Sequence, residues 1–261
     1  MLNNKVAVIY GAGGAIGAAV ARAFAREGAR LFLTGRKRAP VEVVARAIAG
    51  AGWSAEAAEV DALDEKSVDE HLQSVIEKAG HVDISFNAIG LPDAEIVGVP
   101  LVELDVEKFA RPIAAYTTSY FLTARLAARR MVAKRSGVIM TVSALPARVG
   151  SPMIGGYSPA LAAKEALTRS LSMELAPHGI RVVALRPHAI PETASIREVF
   201  DLKAAKVMTW EQWQEAQASR THTRRLSTLA ELADVAAFAA SDCARGLTGT
   251  TVNLSMGAVD D

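Results

Sequence analysis

The chain has 261 residues, of which 51% are hydrophobic and 22% charged, a composition typical of a globular protein with a sizeable core. Its 29 Lys and Arg residues balance 28 Asp and Glu residues, and no apolar run reaches the ~18 residues of a membrane helix, so we expect neither a nucleic-acid nor a membrane partner. The single cysteine, Cys243, excludes an internal disulfide and a cysteine-based zinc cluster; we therefore predict no metal site and, since the first residues contain no basic leader, a cytoplasmic location.

Apolar runs rich in β-branched residues predict strands, and the amphipathic stretches between them predict helices. The strand candidates are 5–10, 29–34, 54–60, 82–87, 137–142, 180–186 and 250–255. The helix candidates are 15–28, 41–50, 64–79, 105–134, 156–177 and 229–241. Near-continuous apolar strands separated by helices indicate an α/β fold, a doubly wound parallel sheet of Rossmann type with helices on both faces. We predict a single domain over 1–261, with the long irregular segment 187–228 as a substrate lid.

A glycine-rich stretch, YGAGGAIG (10–17), joins the first strand to the first helix. Glycines let the backbone approach a pyrophosphate, and the positive end of the following helix favours its charge. The common GxGxxG spacing would need a glycine where the chain has Ile16. The alternative interpretation is a turn whose glycines serve packing only.

The spacing of Gly11, Gly13, Gly14 and Gly17 resembles the TGxxxGxG loop of the short-chain dehydrogenase/reductase superfamily, with Tyr10 in place of the threonine. Other stretches resemble that superfamily in the right order. These are VDALDEKSV (60–68), DISFNAIG (83–90), LTRSLSMELAPHGIRV (167–182) and ELADVAAFAASDCARGLTGTTVN (231–253). The resemblance therefore covers nearly the whole chain and implies a dinucleotide cofactor.

The resemblance implies a set of cofactor-binding residues. They are Gly11, Gly13, Gly14, Ile16, Gly17, Arg36, Asp61, Ala62, Asn87, Gly90, Pro187 and Ile190. At the end of the second strand a carboxylate would bind the ribose 2′-hydroxyl of NAD, whereas an arginine accommodates a 2′-phosphate. The chain has Gly35 at the acid position and Arg36 beside it, so we predict NADP(H) over NAD(H). The alternative is that Arg36, Lys37 and Arg38 form a solvated charge cluster.

In the superfamily a tyrosine transfers the proton, a lysine four residues on lowers its pKa and holds the ribose, and a serine and an asparagine complete the site. The helix YSPALAAKEALTRSLSMELA aligns Tyr157 with the tyrosine and Leu161 with the lysine. Ala144 stands at the serine position and Tyr116 at the asparagine position, so this chain is a divergent member. His188 also replaces the glycine of the family's Pro-Gly step.

Four side chains are candidate substitutes, and each has a structural alternative. Ser143 could turn its hydroxyl into the site or bond to backbone. Lys164 could touch the ribose or be a solvated helix lysine. Tyr116 could donate a proton or fill the pocket, and His188 could bind a phosphate or be structural.

We therefore predict an NADP(H)-dependent oxidoreductase that reduces a carbonyl or enone, with Tyr157 as proton donor. Phe200, Met208, Trp210 and Trp213 suggest an apolar lid and hence an apolar small-molecule substrate, although they could serve packing alone. The resemblance also implies a homo-oligomer, a dimer or tetramer, built from the helices at 105–134 and 156–177. The alternatives are a nucleotide-binding sensor or partner-binding module that has lost hydride transfer, and a non-redox enzyme that uses the nucleotide structurally.

Overall fold

The computed structural model describes residues 1–91, 94 and 97–260, so the predicted domain boundary at 261 lies just outside the described part. The described residues contain a seven-stranded sheet in the order β3-β2-β1-β4-β5-β6-β7. The strands are β1 Val6–Tyr10, β2 Arg30–Gly35, β3 Ala55–Glu59, β4 Ile84–Asn87, β5 Gly137–Val142, β6 Ile180–Pro187 and β7 Thr250–Leu254. Neighbouring strands pair in parallel throughout, which confirms the predicted doubly wound sheet.

Eight α-helices connect the strands in the described part of the chain. They are α1 Ala15–Arg26, α2 Arg38–Gly50, α3 Glu65–Ala79, α4 Val106–Met131, α5 Tyr157–Leu175, α6 Ala194–Lys203, α7 Trp210–Ala218 and α8 Leu229–Ala240. The segment 187–228, predicted to be irregular, contains two helices, α6 and α7, divided from each other. The division arises because Thr209 and Gln212 form a capping box that starts a new helix.

The sheet carries a hydrophobic core on each face. Ala7 and Ile9 of β1 belong to the core that α1, α2 and α8 cover, whereas Val6, Val8 and Tyr10 belong to the core under α3, α4 and α5. Burial on both faces explains why the strands are near-continuous apolar runs. Among the described helices none is long and apolar enough to cross a membrane.

The start of α5 is fixed closely against α4. Gly156 precedes the helix, and a Cβ atom there would overlap the carbonyl of Phe109 in α4. The helix begins at Tyr157, with Pro159 as its third residue. The proline does not break the helix, because the first-turn amides have no helical acceptor. Tyr157 therefore lies where α4, α5 and the loop after β5 meet.

Candidate active site

A cavity of about 650 Å³ opens beyond the carboxyl ends of β1, β2, β3 and β4. It lies at the point where the strand order reverses, between β1 and β4, which is where doubly wound sheets bind ligands. Most of the predicted cofactor-binding residues line it. They are Gly11, Gly13, Gly14, Ile16, Arg36, Asp61, Ala62 and Gly90.

The glycine loop of this cavity is shaped by close backbone contacts. Gly11 has a φ of +78°, and a Cβ atom there would lie 2.7 Å from the carbonyl oxygen of Ala88. A Cβ atom at Gly13 would lie 2.9 Å from the Cβ atom of Pro40. Gly14 is the N-cap of α1 and provides no capping side chain, so no side chain covers this end of the helix. The glycine-rich turn therefore packs closely on its neighbours, and its uncapped helix end makes it a candidate cradle for an anionic group, which we call the glycine cradle.

A second helix begins at the same cavity. Thr193, Ala194 and Ser195, at the start of α6, line it together with the glycine loop. The positive ends of α1 and α6 therefore converge on one space, as expected for a site that holds a pyrophosphate. The sequence analysis did not select these residues. The signal available was a threonine N-cap before an amphipathic stretch, since the Thr193 hydroxyl accepts a hydrogen bond from the Ile196 amide.

The other predicted cofactor residues are not among those that line the cavity. Asn87 is buried, and its Nδ2 donates to Thr123 Oγ1 at 3.1 Å, which fixes the end of β4 to α4. Pro187 and Ile190 are buried at and just after the end of β6. Gly17 lies in α1 against the glycine loop, where a Cβ atom would overlap the carbonyl oxygen of Gly11. Gly17 thus packs on the glycine loop, whereas Asn87, Pro187 and Ile190 are buried in the protein interior.

Gly17 gives a first testable prediction. We expect Gly17→Ala to lower the free energy of unfolding by about 1–3 kcal/mol and to weaken nucleotide binding, because the methyl group displaces the Gly11 carbonyl. Gly50→Ala is the matched control, since Gly50 ends α2 and a Cβ atom there meets nothing within 4 Å. Urea unfolding and NADPH fluorescence titration measure both effects. Equal stability of Gly17→Ala and wild type would contradict the prediction.

The basic residues after β2 have different surroundings. The Arg38 Nε donates to Glu42 at 2.6 Å, as expected for a solvated surface pair. Arg36 and Lys37 line the cavity, and within the described residues neither forms an ion pair. A Cβ atom at Gly35, the position of the absent carboxylate, would lie 3.0 Å from Val41 Cγ2. The charge-cluster interpretation therefore fits Arg38, whereas Arg36 and Lys37 line the cavity.

Tyr157 lies in apolar surroundings. Its ring meets the ring of Tyr116 edge to face, with centroids 5.7 Å apart. It also packs, as does Val199 of α6, on a small cluster formed by Val97 before α4 and Ile154 before α5. Tyr157 is partly exposed, and the residues packed around it in this cluster are apolar.

Ser143 does not turn into the site, contrary to the first alternative, nor does its hydroxyl bond to backbone. It is 3% exposed, and its hydroxyl donates to Glu165 of α5 at 2.7 Å. Arg186 of β6 donates to the same carboxylate through Nε and Nη2, each at 2.8 Å. The Ser143 hydroxyl is oriented by this buried carboxylate. The carboxylate in turn is bound by Arg186, which lies 21 residues further along the chain than Glu165.

Lys164 is not a solvated helix lysine, so that interpretation is wrong. It is 1% exposed, and its Nζ donates to the carbonyl oxygen of Val142, at the end of β5, at 2.7 Å. Burial lowers the pKa of the Lys164 ammonium to about 7. The side chain points toward the carboxyl end of the sheet rather than outward from α5.

His188 is a structural residue. It is 6% exposed, and its Nδ1 accepts a hydrogen bond from the Ala189 amide at 2.6 Å. Burial and, to a smaller extent, the charge of Arg220 lower the pKa of His188 to about 4. The imidazole is therefore neutral at neutral pH and offers no charge to a phosphate.

The sheet order, the glycine cradle and the two converging helix N-termini define a dinucleotide-binding α/β protein. Comparisons with known proteins identify its family. A family model described as "Enoyl-(Acyl carrier protein) reductase" matches residues 11–258. The chain belongs to the short-chain dehydrogenase/reductase family and is an oxidoreductase of that family, whose members use NAD(P).

The relatives that match nearly the whole chain carry names with different substrates. An uncharacterized oxidoreductase, YxbG of Bacillus subtilis, is 33% identical over 98% of this chain and 91% of its own length. L-rhamnose 1-dehydrogenase (NAD(P)(+)) of Azotobacter vinelandii is 31% identical over 97% of this chain and 95% of its own. The crystal structure of an NAD⁺-bound xylitol dehydrogenase superposes with a TM-score of 0.90 at 26% identity, covering 98% of this chain and 99% of that one.

Proposed function

We propose that this oxidoreductase uses NADP(H) and reduces the carbonyl or enone of a small apolar molecule, with Tyr157 as the proton donor. The observation that carries the proposal is the position of Tyr157: at the first residue of α5, partly exposed, and surrounded by Val97, Ile154 and Val199. When bound, the reduced cofactor supplies the hydride. With a carbonyl substrate, the Tyr157 hydroxyl would supply the proton to the oxygen and the product would be an alcohol. With an enone, hydride would add to the β-carbon, and protonation of the oxygen would give an enol that tautomerises to the saturated ketone.

The direction of reaction follows from the residue four positions after Tyr157. Leu161 is 2% exposed and carries no charge. The ordinary pKa of a phenol is ~10, and the Leu161 side chain contributes no charge that would lower it. A protonated phenol donates a proton well but is a poor base for oxidising an alcohol. Reduction is therefore the favoured direction at neutral pH.

The residues present fit a dinucleotide. Gly11 and Gly13 line the cavity without side chains, and the N-termini of α1 and α6 offer positive ends toward it. Arg36 and Lys37 line the cavity without an ion pair in the described part of the chain, and are thus available to a 2′-phosphate. Gly35 places no carboxylate there to repel it.

Cofactor choice gives a second prediction. We expect Arg36→Ala to raise the Kd of NADPH about 10- to 100-fold, because a hydrogen bond between charged groups contributes about 1.5–3 kcal/mol. The Kd of NADH should change less than about twofold, since NADH lacks the 2′-phosphate. Fluorescence titration measures both constants. Arg38→Ala is the matched control, because Arg38 is paired with Glu42; equal losses for the two cofactors in Arg36→Ala would argue against 2′-phosphate binding.

The substrate class is tested by following NADPH oxidation with apolar ketones, enones and keto sugars in parallel. Turnover with the first two classes and little with keto sugars is the expected result, because the residues packed around Tyr157 are apolar. Faster turnover of keto sugars would overturn the apolar preference. Binding of NADPH without turnover of any compound would favour a nucleotide-binding protein that has lost hydride transfer.

We also propose that the protein is a cytoplasmic homo-oligomer, a dimer or tetramer, assembled through α4 and α5. Support comes from large apolar side chains on these helices that the single chain leaves exposed. Phe121 of α4 is 41% exposed and Met173 of α5 is 83% exposed. Light scattering combined with size-exclusion chromatography measures the mass, and a monomer at micromolar concentration would contradict the proposal.

A further inference from the structure

Lys164 is a buried amine beside the Tyr116 ring that the proposed reaction does not use. We propose that Lys164 is a positioning residue for Tyr157 and that it acts through the ring of Tyr116. The inference rests on the proposed role of Tyr157 as proton donor. In this positioning role the Lys164 amino group contacts protein groups, namely the Val142 carbonyl and the Tyr116 ring, and does not take the place of the lysine that position 161 lacks.

The position of Lys164 on α5 determines what its amino group reaches. It lies seven residues after Tyr157, and thus about 10 Å further along the helix axis. Its Nζ is 2.7 Å from the Val142 carbonyl oxygen and 5.5 Å from the centroid of the Tyr116 ring. A cation within about 6 Å of an aromatic centroid is attracted by the ring, more strongly where water is excluded. In its ammonium form, Lys164 is therefore expected to hold the Tyr116 ring against the end of β5.

Tyr116 carries this restraint to Tyr157. Its ring is 5% exposed and lies edge to face with the Tyr157 ring. Its hydroxyl accepts a hydrogen bond from the Leu91 amide at 3.0 Å, and Leu91 lines the cofactor cavity. The Tyr116 ring is thus held by Lys164, by the cavity wall and by Tyr157. A change at Lys164 is expected to move the ring that sets the angle of the Tyr157 phenol.

The charged and polar groups near Lys164 have partners of their own and do not compete for the contact between its amino group and the Tyr116 ring. Glu165, the next residue, accepts hydrogen bonds from Arg186 and Ser143. The ring of Tyr120, also from α4, has its centroid 5.9 Å from Nζ, and its hydroxyl is within hydrogen-bond distance of Thr168 at 3.0 Å. The Lys164 amino group therefore lies between the Val142 carbonyl and two aromatic rings.

Activity provides the first test. Lys164→Met removes both the charge and the donor, whereas Lys164→Gln retains an N–H donor. We expect each to lower kcat for NADPH-dependent reduction about tenfold, a change of ~1.4 kcal/mol in the barrier, and to change the KM for NADPH less than about twofold. Lys66→Met, at an exposed position on α3, is the matched control and should leave both constants unchanged.

A double-mutant cycle tests the route through Tyr116. If Lys164 acts through that ring, Lys164→Met should have no further effect on kcat in a Tyr116→Leu background. An unchanged kcat in both Lys164 variants, or an equal loss with and without the Tyr116 ring, would overturn the proposal. Failure of both variants to fold, judged by circular dichroism, would also overturn it, because Lys164 would then serve the fold itself.

A spectroscopic readout separates this proposal from the proposed function. The chain has four tyrosines, so ¹³Cζ-tyrosine NMR signals can be assigned with single Tyr→Phe variants. Lys164→Met should shift the signals of Tyr116 and Tyr157, and the Tyr157 shift should disappear in the Tyr116→Leu background. This holds even if no substrate is turned over. A Tyr157 signal that does not respond would overturn the positioning role while leaving reductase activity untouched.

Discussion

Replacing Tyr157 by phenylalanine is expected to lower kcat for NADPH-dependent reduction about 10³-fold, the typical contribution of a positioned general acid. The phenylalanine ring should keep the edge-to-face contact with Tyr116 and the packing on Val97 and Ile154. Only the proton donor is then removed. Steady-state kinetics with the best substrate from the screen measures the loss.

Two controls make the result specific. The Kd of NADPH, measured by fluorescence, should change less than about twofold in Tyr157→Phe, because the residue does not line the cofactor cavity. Tyr120→Phe removes a buried hydroxyl bonded to Thr168 and should cost about 1 kcal/mol of stability with little loss of kcat. A Tyr157→Phe enzyme with near-normal kcat would mean that another group or water supplies the proton.

The second large effect is expected at the buried pair formed by Glu165 and Arg186. Both side chains are 4% exposed, and the guanidinium binds the carboxylate through two nitrogens. Arg186→Met leaves that carboxylate buried without its cation and should lower the free energy of unfolding by about 3–5 kcal/mol. Urea unfolding measures the loss.

Simultaneous replacement should recover most of that stability. The triple variant Glu165→Leu, Arg186→Met, Ser143→Ala removes the carboxylate together with both of its donors, and such apolar replacements are often nearly neutral. Arg26→Met provides the exposed control, since the Arg26 and Asp234 side chains are 56% and 62% exposed, and it should cost less than about 1 kcal/mol. A triple variant as unstable as Arg186→Met would argue that the pair is not the cause.

The strands could be predicted because burial on both faces of the sheet makes them continuous apolar runs. β5 was predicted and observed over the same residues, 137–142. The register of α5 placed Leu161 at the lysine position, and the structure buries its side chain, as expected for an inward-facing residue. Local periodicity is sufficient for the strands, since the neighbouring residues along the chain determine them, whereas the position of Leu161 came from the resemblance of the helix to the family's sequence.

The directions of individual polar side chains could not be predicted in the same way. Ser143 bonds to Glu165 only because Arg186, on another strand, holds that carboxylate in place. Lys164 turns inward because the Val142 carbonyl at the end of β5 accepts its hydrogen bond and α4 offers aromatic rings. These partners are brought together by the sheet order and not by spacing along the chain. The contribution of α6 to the cavity has the same origin, since the lid is placed by tertiary packing.

The convergence of α1 and α6 has a consequence for the order of events. The glycine cradle and α1 belong to the sheet and its core, whereas α6 belongs to the lid segment. A dinucleotide that contacts both α1 and α6 would hold the two helices together. Val199, on the same short helix, packs in the cluster that includes Tyr157. If a cofactor orders α6 in this way, it also orders part of the surface around Tyr157, and we expect compulsory-order kinetics with the nucleotide entering first and leaving last.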